Sequence, residues 1–208
     1  MLFRSVPLVP YLCNAETLAR EGRKVLLLDR AGRIKPCGGA IPPRLIKDFR
    51  IPDRLLVARA TCARMVAPSN NQVDIPIENG FVGMVDRHEF DEWLRKRASD
   101  AGAQRRTGTF ERLSRDDDGV SVVHFTERAS ELKGNGWPAQ VRARLIIGAD
   151  GARSEVARQA IPSAHKGRFV FAYHEIIKTP ATLPAGYEST RCDVFYQRSE
   201  ERRVGKEC

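Results

Sequence analysis

Long apolar runs are missing from this chain. No eighteen consecutive apolar residues occur, about the length a membrane-crossing helix requires, and the longest apolar stretches are of the size of Val25–Leu28. No secretory apolar region and no acyl-anchor motif are found. The five cysteines, Cys13, Cys37, Cys62, Cys192 and Cys208, form no C-x-x-C pair, which excludes a disulfide scaffold and a zinc ribbon. Of the four histidines, His88, His124, His165 and His174, none stands at ligand spacing from another histidine or a cysteine, so no metal site is expected. No G-x-S-x-G elbow exists for a nucleophilic serine. The sixteen glycines and twelve prolines do not cluster, which excludes a low-complexity chain. What remains is 208 residues, 42% hydrophobic and 29% charged, enough for one sizeable core. A soluble globular protein of a reducing, cytoplasmic compartment is expected.

Acidic charge is the scarcer sign: the net charge is +9, a balance that raises nucleic acid as a partner. The arginines, however, are interleaved with acids, as in Asp86–Arg87 and Glu92–Arg95, and aromatics do not alternate with basic residues as a base-stacking platform needs. A solvated mixed-charge surface and no nucleic acid are expected. Both ends read as foreign. Arg198–Cys208 back-translates to a common sequencing-adapter string, and Leu2–Ser5 to the reverse complement of its first bases. Residues 1–5 and 198–208 are therefore set aside as adapter translation. Doing so removes five basic and three acidic residues and lowers +9 to +7. Residues 6–197 are expected to be a fragment, open at both ends.

Within the interior, Glu16–Glu21 has helix formers and closes at Gly22, a C′ position. Arg23–Leu28 then reads as a buried strand ending at Asp29. Helix, glycine turn, apolar strand and terminal acid make up the second half of a Rossmann βαβ unit, in which that acid accepts hydrogen bonds from ribose hydroxyls. The first half is absent: where G-x-G-x-x-G belongs, the chain reads Val6-Pro7-Leu8-Val9-Pro10. This stretch is either a glycine loop read one base out of frame or a plain proline-rich extended segment. Further on, Gly38 and Gly39 let backbone approach a flat or phosphorylated ligand. Cys37 beside them either faces a cofactor ring or fills a small apolar hole.

Met65–Ala67 and Val73–Ile77 flank a polar turn and read as a hairpin, with Gly80–Val85 as a third strand. Asp86 caps a helix over Arg87–Ala101 whose Phe90, Trp93, Leu94 and Ala98 share a face. Arg87, at the helix end where a cation is disfavoured, either faces an anion or is a surface residue. Val120–Phe125 and Ala139–Ile147 read as paired strands, preceded by the turn Asp116–Gly119. The second runs into Gly148-Ala149-Asp150-Gly151 and a helix over Glu155–Ala160. Strand, GADG and helix form either a nucleotide site or a surface turn.

In order, the strand to Asp29, Lys35-Pro36-Cys37-Gly38-Gly39-Ala40, Val85-Asp86-Arg87-x-x-Phe90-Asp91-x-x-Leu94 and Gly148–Gly151 resemble the geranylgeranyl reductase family of FAD-dependent oxidoreductases. The likeness is strongest to the branch that saturates the prenyl tails of chlorophylls and bacteriochlorophylls, and it covers essentially Ala15–Gln197. GADG and the Asp-Arg helix belong to the wider aromatic-hydroxylase-like flavoproteins. The Lys35–Ala40 run and Phe171–Glu175 single out the reductases.

The resemblance implies an α/β fold: a Rossmann-like FAD-binding domain with an interleaved, incomplete antiparallel-sheet substrate domain. Residues 6–160 would form the partial FAD-binding domain, lacking its first strand and glycine loop and carrying an inserted hairpin near 62–85. Residues 161–197 would begin the substrate domain. Asp29 and Arg30 would hold the adenosine end of FAD, Cys37, Gly38 and Gly39 would lie near the flavin, Arg87 would reach the phosphates, and Asp150 and Gly151 would support the dinucleotide. NADPH, or a ferredoxin, would supply electrons. The substrate would be a prenyl lipid or prenylated pigment, met at the periphery of a photosynthetic membrane, with no oligomeric state implied. Cys37, Tyr173 and His174 are the candidate proton donors. The chain by itself is expected to be inactive. The competing readings are a flavin monooxygenase acting on aromatic rings and a non-catalytic basic binding module.

Overall fold

A computed structural model describes residues 2–3, 8–30, 39–78, 80–128, 136–151, 153–164, 181–183 and 185–196. In chain order the elements are β1 (Leu2–Phe3), α1 (Leu8–Arg20), β2 (Leu26–Asp29), β3 (Ala40–Ile41), α2 (Pro43–Asp48), β4 (Leu56–Ala60), β5 (Cys62–Val66), β6 (Gln72–Pro76), β7 (Val82–Val85), α3 (Arg87–Asp100), β8 (Gln104–Arg115), β9 (Ser121–Glu127), β10 (Trp137–Ala143), β11 (Ile146–Ile147), α4 (Glu155–Ala160) and β12 (Arg191–Phe195). They fall into two compact units, Met1–Lys35 with Phe90–Ala172, and Pro36–Glu89 with Tyr173–Cys208. The segment inserted into the first unit is thus Pro36–Glu89, wider than a hairpin near 62–85.

The first unit is built on a six-stranded sheet of order β10-β9-β8-β2-β1-β11. Strands β8, β2, β1 and β11 run parallel, and β8, β9 and β10 form an antiparallel meander. β8 belongs to both halves. Its residues Gln104–Thr107 pair with β2, and Gly108–Arg115 pair with β9. A flat sheet of this order would hold its two edges about 24 Å apart. Ala143 of β10 and Ile146 of β11 are at most about 11 Å apart along the chain, so the meander must fold back from the parallel strands at β8. Gly108 stands at that bend, where a Cβ would come within 2.7 Å of the Thr126 carbonyl oxygen and 3.1 Å of the Phe125 ring. The fold-back brings Leu26 and Leu28 of β2 into one core with Phe110, Val123, Phe125 and Val156.

Several boundaries follow from local chemistry. α1 ends as expected at Gly22: the Gly22 N–H donates to Ala19 O at 3.0 Å and Arg23 N–H to Leu18 O at 2.9 Å, a Schellman closure. Asp86 caps α3 through its Oδ1, which accepts from His88 N at 2.8 Å. The turn before β9 forms as expected, with Val120 N–H donating to Asp116 Oδ1 at 2.8 Å.

Other expectations are corrected. The first strand, expected to be missing, is supplied by Leu2–Phe3, which pairs in parallel with both β2 and β11 and lies inside the five residues set aside. Leu8–Pro10 is not extended but opens α1, because a proline in a first helical turn forfeits no intrahelical hydrogen bond. Ala139–Ile147 is not one strand: it breaks at residues 144–145 into β10 and β11, at opposite edges of the sheet.

In the second unit β5 and β6 form the expected hairpin. β7 does not extend it; it joins β3 and β4 in a separate three-stranded antiparallel sheet. β12 lies parallel to β5, so the sheet β12-β5-β6 is mixed rather than antiparallel.

The Phe125 ring lies at the fold-back and is 0% exposed. Phe125→Ala should lower unfolding free energy by about 3–5 kcal/mol, whereas Leu145→Ala, at a side chain 56% exposed, should stay within about 0.5 kcal/mol. Urea titration of the two variants checks this; equal losses would show that the core does not centre on Phe125.

Candidate functional site

The parallel strands of the first unit end on one edge. Leu2 aligns with Leu26 and Ile146, and Phe3 with Leu27 and Ile147. Asp29 is therefore two residues past the aligned row, and Asp150 three residues past it, on either side of β1. Taken in chain order, β1, β2 and β8 build outward one way while β11 joins β1 on the other side. Such a switch point opens a crevice outside the carboxyl ends of the strands, where doubly wound folds bind dinucleotides.

Asp29 is 5% exposed at the end of the wholly buried β2. Its Oδ2 accepts a hydrogen bond from Nε of Arg95 on α3, a side chain itself only 10% exposed. From Arg95 the charges continue outward. Arg95 Nη1 lies 3.4 Å from Glu92 Oε2, and Glu92 accepts a two-pronged pair from Arg105 of β8 at 2.5 and 2.9 Å. That bidentate bond from Arg105 holds the Glu92 carboxyl below the ordinary glutamate value, and it raises the Arg105 guanidinium in turn. A second buried acid, Glu16 of α1, pairs with Arg97 of α3 at 2.9 Å and Arg20 at 2.6 Å. Arg30, next to Asp29, is exposed.

Asp150 is held within its own turn. Its Oδ2 accepts from the backbone N–H groups of Glu155 at 2.7 Å and Val156 at 3.2 Å, and its Oδ1 from the Ser154 hydroxyl. Ser154 in turn caps α4 through Ala157 N at 2.9 Å. The carboxylate thus braces the turn. Gly151 follows at φ +98°, a left-handed backbone that presents main chain at the sheet edge.

In the second unit, Gly39 is required by its own chain. At φ +72° its absent Cβ would stand 2.2 Å from the Val85 carbonyl oxygen, and Val85 N–H donates to Gly39 O at 3.0 Å. The close approach that glycine allows here is to β7, two residues before Arg87. Arg87 is 9% exposed in the first turn of α3, which excludes the surface reading. Cys37 and Gly38, and the other proton-donor candidates Tyr173 and His174, lie outside the described residues.

Arg95 is the residue that motif reading missed. It follows Leu94 and lies five residues past Phe90 on the buried side of α3, and a buried arginine demands a counter-charge. The helical pattern shows that demand; the partner, 66 residues earlier, is visible only in three dimensions.

Among the described residues no group of three or more His, Cys, Asp or Glu is placed to hold a metal ion, and no helix is long and apolar enough to cross a membrane.

This strand order, with an acid ending the second strand and a glycine turn ending the fourth, defines a dinucleotide-binding α/β domain. The family described as FAD binding domain matches residues 12–205, and the chain belongs to it. Within that family its likeness is to the geranylgeranyl reductases, as the Lys35–Ala40 run led us to expect. It is 60% identical over 179 residues to the geranylgeranyl diphosphate reductase of Rhodobacter capsulatus, covering 86% of this chain and 44% of that protein. With the chloroplastic geranylgeranyl diphosphate reductase of Arabidopsis thaliana it shares 34% over 180 residues, covering 84% and 38%. The solved structure of a geranylgeranyl bacteriochlorophyll reductase-like protein from Thermoplasma acidophilum superposes with a TM-score of 0.69 at 19% identity, covering 93% of this chain and 49% of that one; at that identity it speaks for the fold. The chain spans less than half the length of these curated relatives.

The residues at the carboxyl edge fit FAD. A buried carboxylate at the second strand suits ribose hydroxyls, and the left-handed turn at Gly151 suits close backbone approach.

The depressed Glu92 carboxyl carries a pH signature. A carboxyl held low in the folded state contributes stability above the unfolded value of about 4.3, and that contribution fades as pH falls through the folded value. Glu92→Gln should therefore destabilise at neutral pH, by less than about 1 kcal/mol for so exposed a pair, and the gap to the parent chain should shrink below about pH 4. Thermal midpoints measured from pH 7 to pH 3 test this; a gap that widens in acid would contradict it.

Proposed function

We propose that this chain serves an FAD-dependent reductase that saturates geranylgeranyl groups to phytyl, on geranylgeranyl diphosphate or on geranylgeranylated chlorophyll or bacteriochlorophyll. The observation that supports this most is the 60% identity to a geranylgeranyl diphosphate reductase. The chemistry agrees. An isolated alkene needs a hydride and a proton, and since side chains supply no hydride, the bound flavin does.

The chain's own residues have the complementary tasks. Asp29 accepts the ribose hydroxyls at the adenosine end, with Arg30 beside it. Asp150 braces the glycine turn whose main chain at Gly151 meets the dinucleotide. Cys37, Gly38, Gly39 and Arg87 complete the cofactor-binding set by family resemblance, and Cys37 is the proposed proton donor. NADPH, with a ferredoxin as the other electron source, is the proposed reductant. The proposed setting is the cytoplasmic side of a photosynthetic membrane, where the enzyme meets a prenyl lipid or prenylated pigment at the periphery.

The complete polypeptide, purified, should be yellow with FAD and should add hydrogen to geranylgeranyl groups when given a reductant; a colourless, flavin-free protein would sink the reading. Asp29→Ala should weaken FAD binding by about 1–3 kcal/mol, read by titration of flavin fluorescence.

A further inference from the structure

We infer that Arg95 is a positioning residue for the adenosine end of the cofactor: it acts through Asp29, and so raises affinity for FAD without raising affinity for a flavin that lacks adenosine. This rests on the proposed FAD reading. The geometry that carries it is the buried pair itself. Asp29 ends β2 with its side chain 7% exposed, and Arg95, 10% exposed, donates from Nε to Asp29 Oδ2.

A carboxylate at the end of a strand has one torsion that swings it and a second that turns its oxygens. An Nε–H donor fixed on a helix removes both freedoms. α3 is itself anchored at both ends: Asp86 caps its start, and Gly102 closes its end through Gly102 N–H to Ser99 O at 2.9 Å and Ala103 N–H to Ala98 O at 3.0 Å. Phe90, Leu94 and Ala98 are 0 to 1% exposed along the same helix. The donor is therefore held by packing, which is how a supporting residue fixes a ligand-binding group.

On its outer side Arg95 is steadied by Glu92, which Arg105 holds in turn. Arg105 belongs to the segment of β8 that pairs with β2 next to Asp29.

The test is a double-mutant cycle on the complete polypeptide, with dissociation constants for FAD and for FMN measured by fluorescence titration. Because Arg95→Ala would leave a buried carboxylate without its counter-charge, the cycle uses Arg95→Lys, which keeps the charge but loses the planar donor, and Asp29→Asn, which keeps the shape. Arg95→Lys should raise the FAD dissociation constant roughly ten-fold, the scale of one hydrogen bond to a charged group, and leave the FMN constant within about two-fold. In the Asp29→Asn background the same substitution should have almost no further effect on FAD, the mark of a residue acting through its neighbour.

If the two substitutions weaken FAD additively, or if FMN and FAD weaken together, Arg95 supports only the fold and the inference is overturned. If the parent polypeptide binds no FAD at all, the flavin reading itself fails. If it binds FAD and neither variant changes the affinity, that reading stands and this inference falls.

Discussion

The bend in β8 is the constraint on which the first unit rests. One strand serves two ladders: residues 104–107 continue the parallel sheet beside β2, and residues 108–115 begin the antiparallel meander. Two residues, 144–145, then link the end of the meander to β11. So short a link is possible only because the meander turns back over the parallel strands. The same turn encloses Leu26, Leu28, Phe110, Val123 and Phe125, which are drawn from both sides of the bend. Burial of that apolar surface, at about 25 cal/mol per Å², opposes the entropy lost in holding a strand between two partners. Gly108 lets the Thr126 backbone and the Phe125 ring come close enough for the bend to close.

The carboxyl edge of the parallel strands inherits its shape from this arrangement. β1 and β11 each contribute two residues of ladder, so the edge is defined mainly by β2 and by what leans on its end. Two buried acids of the first unit are matched by arginines of one helix, Asp29 by Arg95 and Glu16 by Arg97. Pairs of this kind contribute little net stability, because removing two charges from water costs about what their attraction returns. What they do provide is orientation. α3 can sit against β2 and α1 in only one register if both guanidinium groups are to be satisfied.

The positions of this chain differ in how much of their role is legible in the sequence. Gly22 and Asp86 were legible, since a helix terminus leaves unpaired donors and acceptors within a few residues and the sequence must supply the cap locally. Strand β2 was legible for the same kind of reason: a short run of Val and Leu ending in an acid has few other uses beside a helix. Gly39 and Asp150 were found as special positions, and the structure gives each a local reason that the motifs did not name. Gly39 accommodates Val85 of its own unit, and Asp150 caps α4. A motif marks where backbone freedom or an acceptor is needed without naming the partner. The division of one expected strand into β10 and β11, and the transfer of β7 to a sheet of its own, left no local trace. Strand pairing depends on segments far away in the chain, and alternating side chains suit any partner that offers an apolar face.

The sequence by itself determined the local vocabulary: caps, turns, the buried β2, the acid at its end, the amphipathic face of α3, and enough motif to name the flavoprotein family. These follow from forces that act over one or two helical turns or along a single strand. The tertiary structure alone decided which partner each buried charge would take, that Leu2–Phe3 would stand between β2 and β11, and that β8 would be shared between two ladders. Those outcomes turn on contacts between residues tens of positions apart. Such contacts win by burying apolar area and pairing desolvated charge, quantities that exist only once the chain has closed on itself.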